Sequence, residues 1–285
     1  MRARDITPET ALCGIILHPA GHTRSPAMHN AAYAVLGIDA VYLAFDVPES
    51  ALGAALAGVR ALGLRQLSVS LPHKIAIMAY LDEVDDTARR IGAVNTAVLR
   101  DGRLVGSNTD WLGAVRALER ETKLAGSRAV VLGAGGSARA VIHGLQQRGA
   151  RVRVLNRTPE RARRLAEALG ADSYGSLSDL ASDPYDVLVN TTSVGLQADA
   201  SPVDPAALAP GAVVMDAVYA PERTRLLRDA EARGARIVPG KWMLVHQAVA
   251  QLAAWTEPFS AEREASLIEV MAGAFDDASH GRTIR

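Results

Sequence analysis

A glycine-rich turn between a strand and a helix is the feature that most narrows what this chain can fold into. The run RAVVL at 128–132 is apolar and rich in β-branched residues, as buried strands are. Gly133-Ala134-Gly135-Gly136-Ser137-Ala138 follows, then a helical stretch, then a second apolar run that ends at Asn156. This is G-x-G-x-x-A inside a β-α-β unit of about thirty residues. Gly133 permits the tight turn, Gly135 lets backbone approach a pyrophosphate, and Ala138 is small enough for helix and strand to pack closely. The helix N-terminus adds N–H donors and a partial positive charge suited to phosphates. The pattern therefore predicts a dinucleotide site, against the plainer alternative of a tight turn with no ligand.

More strand–helix pairs follow. DVLVN (186–190), AVVMDAV (212–218) and RIVP (236–239) read as strands, and ERTRLLRDAEARG (222–234) as a helix. The expected fold class is α/β, with a Rossmann-type doubly wound sheet in this half. An NAD site usually has Asp or Glu at the end of the second strand. Here that strand ends Asn156-Arg157-Thr158, with Arg161 one turn later. Two guanidinium groups without a carboxylate suit a 2′-phosphate, so the expected cofactor is NADP(H). The plainer use of these arginines is a solvated helix start, since PERARR (159–164) is charged throughout.

The 285 residues are long for one domain. The N-terminal part also alternates. ALCGIIL (11–17), AVYLAFDV (40–47) and RQLSVSL (65–71) read as strands. Ser25-Pro26 looks like an N-cap followed by Pro at the first helical position, and Gly37 is a good C-terminal stop. Further helices are expected from about Glu49 to Leu62, over about 74–91, and over about 110–122 with Thr109 or Asp110 as cap. A hairpin is expected around Asp101-Gly102. The last helices, about 242–256 and 261–274, come after the second sheet is complete, so they are expected to return to the first. That predicts residues 1–110, joined by 242–285, as one domain, and 111–241 as the dinucleotide domain.

Bulk properties remove several classes. Lys and Arg together number 31, and Asp and Glu 31, so nothing electrostatic draws the chain to nucleic acid or anionic membrane. The single cysteine, Cys13, allows no internal disulfide. Seven histidines form no HxH or HExxH cluster, so no metal site is expected. No apolar stretch approaches the roughly eighteen residues of a membrane helix, and the N-terminus lacks a signal-peptide core. A cytoplasmic protein with a small-molecule partner, monomeric or homodimeric, is the expectation.

Motifs spread over nearly the whole chain resemble those of the shikimate dehydrogenase family. Thr23-Arg24-Ser25-Pro26 is similar to its S-x-S-P, and Ser68-Val69-Ser70-Leu71-Pro72-His73-Lys74 to its N-V-T-x-P-x-K. Gly92-Ala93-Val94-Asn95-Thr96 resembles G-A-V-N-T, and Asn108-Thr109-Asp110 resembles N-T-D-G with Trp111 in place of Gly. Asn190-Thr191-Thr192-Ser193-Val194-Gly195, Asp216-Ala217-Val218-Tyr219 and the segment from Gly240 to Ala248 resemble N-A/T-T-S-x-G, D-x-x-Y and G-x-x-M-L-x-x-Q-A.

The resemblance implies an N-terminal substrate domain, a C-terminal NADP domain, and reversible reduction of 3-dehydroshikimate to shikimate on the route to aromatic amino acids. It implies Lys74 and Asp110 as the acid–base pair. A lysine suits that role because burial lowers its pKa and a nearby carboxylate raises it again. Thr23 and Ser25 would hold the substrate carboxylate, Ser70, Asn95 and Gln247 its hydroxyls, and Tyr219 would reach the substrate. Thr192, Ala217, Gly240 and Met243 would lie along the cofactor, although helix core is the plainer reading of Met243. Thr23, Ser68 and His73 depart from the family pattern, which keeps quinate or an aminoshikimate open as substrate. A silent NADP(H)-binding sensor is a third reading. His22, His73, Trp111, Trp242 and His246 receive no role from the resemblance.

Overall fold

The computed structural model describes residues 6–21 and 23–279; His22 and His280 lie outside them. In chain order the first elements are β1 (Ala11–Leu17), α1 (Ser25–Leu36), β2 (Ala40–Asp46), α2 (Leu52–Ala61), β3 (Gln66–Val69), β4 (Glu83–Val84), α3 (Asp86–Ile91), β5 (Thr96–Arg100) and β6 (Arg103–Ser107). Then come α4 (Asp110–Glu119), β7 (Arg128–Leu132), α5 (Gly136–Gln147), β8 (Arg151–Leu155), α6 (Pro159–Leu169), β9 (Ser173–Gly175), β10 (Val187–Asn190), β11 (Val213–Asp216), α7 (Arg225–Ala232), β12 (Arg236–Val238), α8 (Gly240–Ala253) and α9 (Ala261–Ser279). By contacts the chain divides into two units. One holds the residues up to Ala88, Val94–Ser107 and those from Ala248 on; the other holds Arg89–Ala93 and Asn108–Gln247. The change of unit thus falls inside α3 and again inside α8.

In the first unit six strands form a mixed sheet in the order β2-β1-β3-β5-β6-β4. β1 runs parallel to β2 and β3, whereas β5 is antiparallel to both β3 and β6. The β5–β6 hairpin turns at Asp101 and Gly102, both with positive φ, as a two-residue type I′ connection requires. Ile16, Leu56, Leu67, Ile77 and Leu104 are among its buried core. α9 returns to α1, where the Arg24 guanidinium donates to the carbonyl of Ala278 at 2.8 Å.

The second unit carries a wholly parallel sheet in the order β12-β11-β10-β7-β8-β9. Read from the other edge, this is the doubly wound order, with its switch point between β7 and β10. β10 and β11 are buried along their whole length, as strands covered on both faces are.

Two local expectations need correction. The helix expected over about 74–91 is instead a turn, a 3-10 segment at Ala76–Tyr80, the short β4 and then α3. Asp82 is the cause: its carboxylate accepts from Leu104 N–H at 2.6 Å and from Arg60 at 2.6 Å, which pins the chain to β6. Asp85 then starts α3 by accepting from Ala88 N–H at 2.6 Å. Ser25 is the first helical residue of α1 and not its cap; Arg24 holds the cap position, with no side-chain capping bond. Gly37 does close that helix in the left-handed region. Thr109 holds the N-cap position of α4, as expected, though without a side-chain capping bond, and the Asp110 N–H donates to Asn108 Oδ1 at 3.0 Å.

Candidate active site

The first group of candidate residues gathers at the C-terminal end of β1 and β3. Ser70 N–H donates to Ile16 O at 3.0 Å, and His73 N–H to Ser70 O at 2.9 Å. Val94 N–H donates to Lys74 O at 2.8 Å, and Val69 N–H to Asn95 O at 2.8 Å. These four bonds bring Ser70, Lys74 and Asn95 to one edge of the sheet. The loop from β1 to α1 leaves the same edge, tied there by His18 N–H to Leu71 O at 2.9 Å. It carries Thr23, whose hydroxyl lies 3.3 Å from both Ser25 Oγ and Ser25 N. Lys74 is only 8% exposed, so a cation there is largely withdrawn from water. His73 is buried as well, and its Nε2 meets Val47 O at 2.7 Å, which fixes the ring beside Lys74.

The second group belongs to the other unit. Gly133 has φ +111°, and a Cβ there would stand 2.7 Å from Thr191 Oγ1. Gly135 occupies the N-cap of α5 with no side-chain capping bond, and a Cβ added to it meets nothing within 4 Å. Open space thus faces helix N–H groups that lack intrahelical partners. Gly136 and Ala138 are buried behind it, with Ala134 and Ser137 half-buried. At the end of β8, Asn156 donates to Thr158 O at 3.0 Å. Arg163 and Arg164 are tied to Glu160 at 2.7 and 3.0 Å, whereas among the described residues Arg157 and Arg161 enter no ion pair.

A buried carboxamide–carboxylate pair organises the loops past β10 and β11. Asn190 Nδ2 donates to Asp216 Oδ1 at 2.9 Å. Asn190 Oδ1 accepts from both the N–H and the hydroxyl of Thr192, at 3.0 and 2.8 Å. Asp216 also accepts from Val218 N–H at 3.0 Å and Thr224 Oγ1 at 2.7 Å. Burial pushes the Asp216 carboxyl up to about 6, against the lowering effect of these three donors. Ala217 and Tyr219, on the same loop, are half-buried. A Cβ on Gly240 would come within 2.6 Å of Asp216 O and 2.7 Å of Val218 O, so only glycine lets α8 start there.

Asp110 is fully buried in this unit, at the start of α4. Gln247 stands opposite on α8, its carbonyl accepting from Thr109 Oγ1 at 3.2 Å. Met243 lies in the unit's apolar core, as the plainer reading had it. The candidate residues therefore fall into two sets. Thr23, Ser25, Ser70, Lys74 and Asn95 belong to the first unit; Asp110, Tyr219, Gln247 and the cofactor candidates belong to the second.

The family model described as shikimate dehydrogenase substrate binding domain matches residues 15–97, and the one described as shikimate / quinate 5-dehydrogenase matches residues 116–197. The shikimate dehydrogenase (NADP(+)) of Thermococcus kodakarensis is 47% identical over 87% of this chain and 92% of its own. The chain belongs to the shikimate dehydrogenase family. Among solved structures, shikimate 5-dehydrogenase from Thermus thermophilus, in complex with NADP(H) and shikimate, is 38% identical with a TM-score of 0.84, covering 93% of this chain and 99% of that one. The 5-ketofructose reductase of a Gluconobacter strain is 33% identical with a TM-score of 0.81, covering 95% and 100%.

Against the family pattern, several residues gain a place that motif reading did not assign. Asn190 and Asp216 stand inside recognised motifs, but the bond between their side chains, across the neighbouring strands β10 and β11, belongs to neither motif. Trp111 packs against the core, edge-on to His143 at 5.7 Å. Trp242 lies under Arg120, whose guanidinium carbon is 3.9 Å from the ring centroid. His246 is held neutral, pushed down to about 4 by burial and by Arg116 and Arg120. Among the described residues no group of His, Cys, Asp or Glu is placed to hold a metal, and no helix is long and apolar enough to cross a membrane.

Proposed function

We propose that this protein catalyses the reversible NADPH-dependent reduction of 3-dehydroshikimate to shikimate. The observation that carries the reading is the convergence of Ser70, Lys74 and Asn95 on one sheet edge, in a chain whose relatives are named shikimate dehydrogenase (NADP(+)). The other unit suits the dinucleotide. Space over Gly135 and the uncapped N-terminus of α5 fit a pyrophosphate, and Arg157 and Arg161, engaged in no ion pair among the described residues, fit a 2′-phosphate. Asn156 and Thr158 flank Arg157, and Thr192, Ala217 and Gly240 border the remainder of the cofactor, with Met243 of the apolar core behind them.

When bound, NADPH supplies hydride to the substrate's carbonyl carbon. Lys74 gives the proton that the carbonyl oxygen needs as the alcohol forms, and takes it back in the oxidative direction. Asp110 is the second group of that acid–base pair. Thr23 and Ser25 present hydroxyls to the substrate carboxylate. Ser70, Asn95 and Gln247 position its hydroxyls, and Tyr219 reaches the substrate. No partner beyond small molecules is required, and the protein acts as a monomer or homodimer.

The test is to mix the protein with shikimate and NADP⁺, follow NADPH absorbance, and repeat with quinate, with NAD⁺ and with Lys74→Ala. Turnover of shikimate with NADP⁺, lost in the variant, is expected. A preference for quinate would transfer the reading to that substrate, in keeping with the altered positions Thr23 and Ser68. NADPH binding without turnover of any cyclic hydroxy acid would replace the enzyme with a sensor.

A further inference from the structure

The core of the first unit contains a chain of buried amides and hydroxyls that ends on Asn95. Gln66 Nε2 donates to Ser68 Oγ at 2.9 Å, and Ser68 Oγ donates to Gln251 Oε1 at 3.0 Å. Gln251 Nε2 then donates to the backbone carbonyl of Asn95 at 3.1 Å. All four residues are at most 6% exposed. Every bond runs in one direction, which leaves Gln251 a single amide orientation. Turned over, it would set oxygen against the Asn95 carbonyl and NH₂ against a hydroxyl already donating toward it. The Asn95 side chain is held too, its Oδ1 accepting from Thr96 Oγ1 at 2.8 Å.

Such a network is not what core stability asks for. Buried polar groups gain little net free energy when paired and cost considerably more when a partner is lost. Apolar side chains would fill the same space, as they do in the sheet of the second unit. The chain does join Ser68, where the family pattern has Asn, to the residue assigned to a substrate hydroxyl. A short Ser leaves room that the amide of Gln251 enters from α8.

We infer that Gln251, with Ser68, is a positioning residue: it fixes the backbone of Asn95 and so sets how tightly the substrate hydroxyl is held. The inference rests on the proposed role of Asn95. Gln251→Met keeps the side-chain length and removes both bonds. It is expected to raise KM for shikimate about tenfold, with kcat moving less and KM for NADP⁺ unchanged. In an Asn95→Ala background the same substitution is expected to add little, because the group it positions is gone. Ser68→Ala removes both bonds of that hydroxyl with almost no change of volume but leaves the Gln251–Asn95 bond, and is expected to give a smaller rise in the same constant. It remains available should Gln251→Met fold poorly. Unchanged KM in active Gln251→Met or Ser68→Ala, or equal effects with and without Asn95, would overturn the inference alone. Absence of shikimate turnover by the unsubstituted protein would instead overturn the functional reading, and the inference with it.

Discussion

The two sheets of this molecule handle polar groups in opposite ways. The parallel sheet is filled by Val, Ala, Leu and Met, and its buried polar residues Asn190 and Asp216 stand at strand ends. The mixed sheet carries Gln66 and Ser68 within β3, and has His29 stacked on Tyr42 at 4.2 Å in the same unit. The difference follows from what each sheet presents. A dinucleotide is gripped largely by backbone N–H groups at a helix start, so side chains beneath have only to pack. A polyhydroxylated ring must be recognised by side chains, and those need their own supports fixed from behind.

The sharpest division comes from Lys74→Ala. It is expected to lower kcat by roughly 10²–10⁴-fold, the usual contribution of a positioned acid–base group, while NADPH titration by fluorescence shows unaltered affinity. A matching loss of NADPH binding would erase the separation of roles. Gly133→Ala attacks the other side. A non-glycine residue at φ +111° costs about 1–3 kcal/mol, and the new methyl group also meets Thr191. A lower melting temperature and weaker NADPH binding are expected; unaltered cofactor binding would remove that turn from the site.

Acid stability separates the two interiors. Burial holds His29 at about 3 against its ordinary 6.5. The unfolded chain therefore takes up this proton first, so the contribution is intact above about pH 6.5 and declines as pH falls. By pH 5 the loss from His29 amounts to about 2 kcal/mol. His29→Phe keeps an aromatic ring against Tyr42 and is expected to flatten that part of the decline in urea midpoints measured at pH 7 and pH 5. His246 in the second unit is held at about 4 and leaves a residual decline of the same sign. An acid limb identical in the variant would show that His29 is not the group responsible. The smallest effect is expected from Arg157→Ala, about a tenfold rise in KM for NADP⁺ with none for NAD⁺, since an exposed guanidinium is partly screened by solvent. Equal effects on both cofactors would deny it the 2′-phosphate.

Much of this was legible along the chain. The turn at Gly133–Ala138 carries its own geometry, because a left-handed φ and an uncapped helix start are local properties that a few glycines dictate. The longer strands of both sheets, the Asp101-Gly102 hairpin and the stop at Gly37 were readable for the same reason, whereas the short β4 and β9 were not. The motifs around Lys74, Asn95 and Asp110 pointed to the chemistry through resemblance. Where reading failed, a distant residue had intervened. Asp82 breaks an otherwise helical pattern by bonding to β6. Ser25 yields the cap position to Arg24, whose side chain reaches α9.

The sequence by itself determined the α/β class and the glycine turn at Gly133–Ala138, written in short spans whose period and residue type carry the physics, and through resemblance it proposed the reactive groups. Only the tertiary structure decided which groups support them. Gln251 reaches Ser68 and Asn95 across well over a hundred residues, and Asn190 reaches Asp216 from one strand to the next. A hydrogen bond needs two atoms about 3 Å apart. No local pattern specifies that distance for residues so far apart in the chain; the packing of strands and helices does.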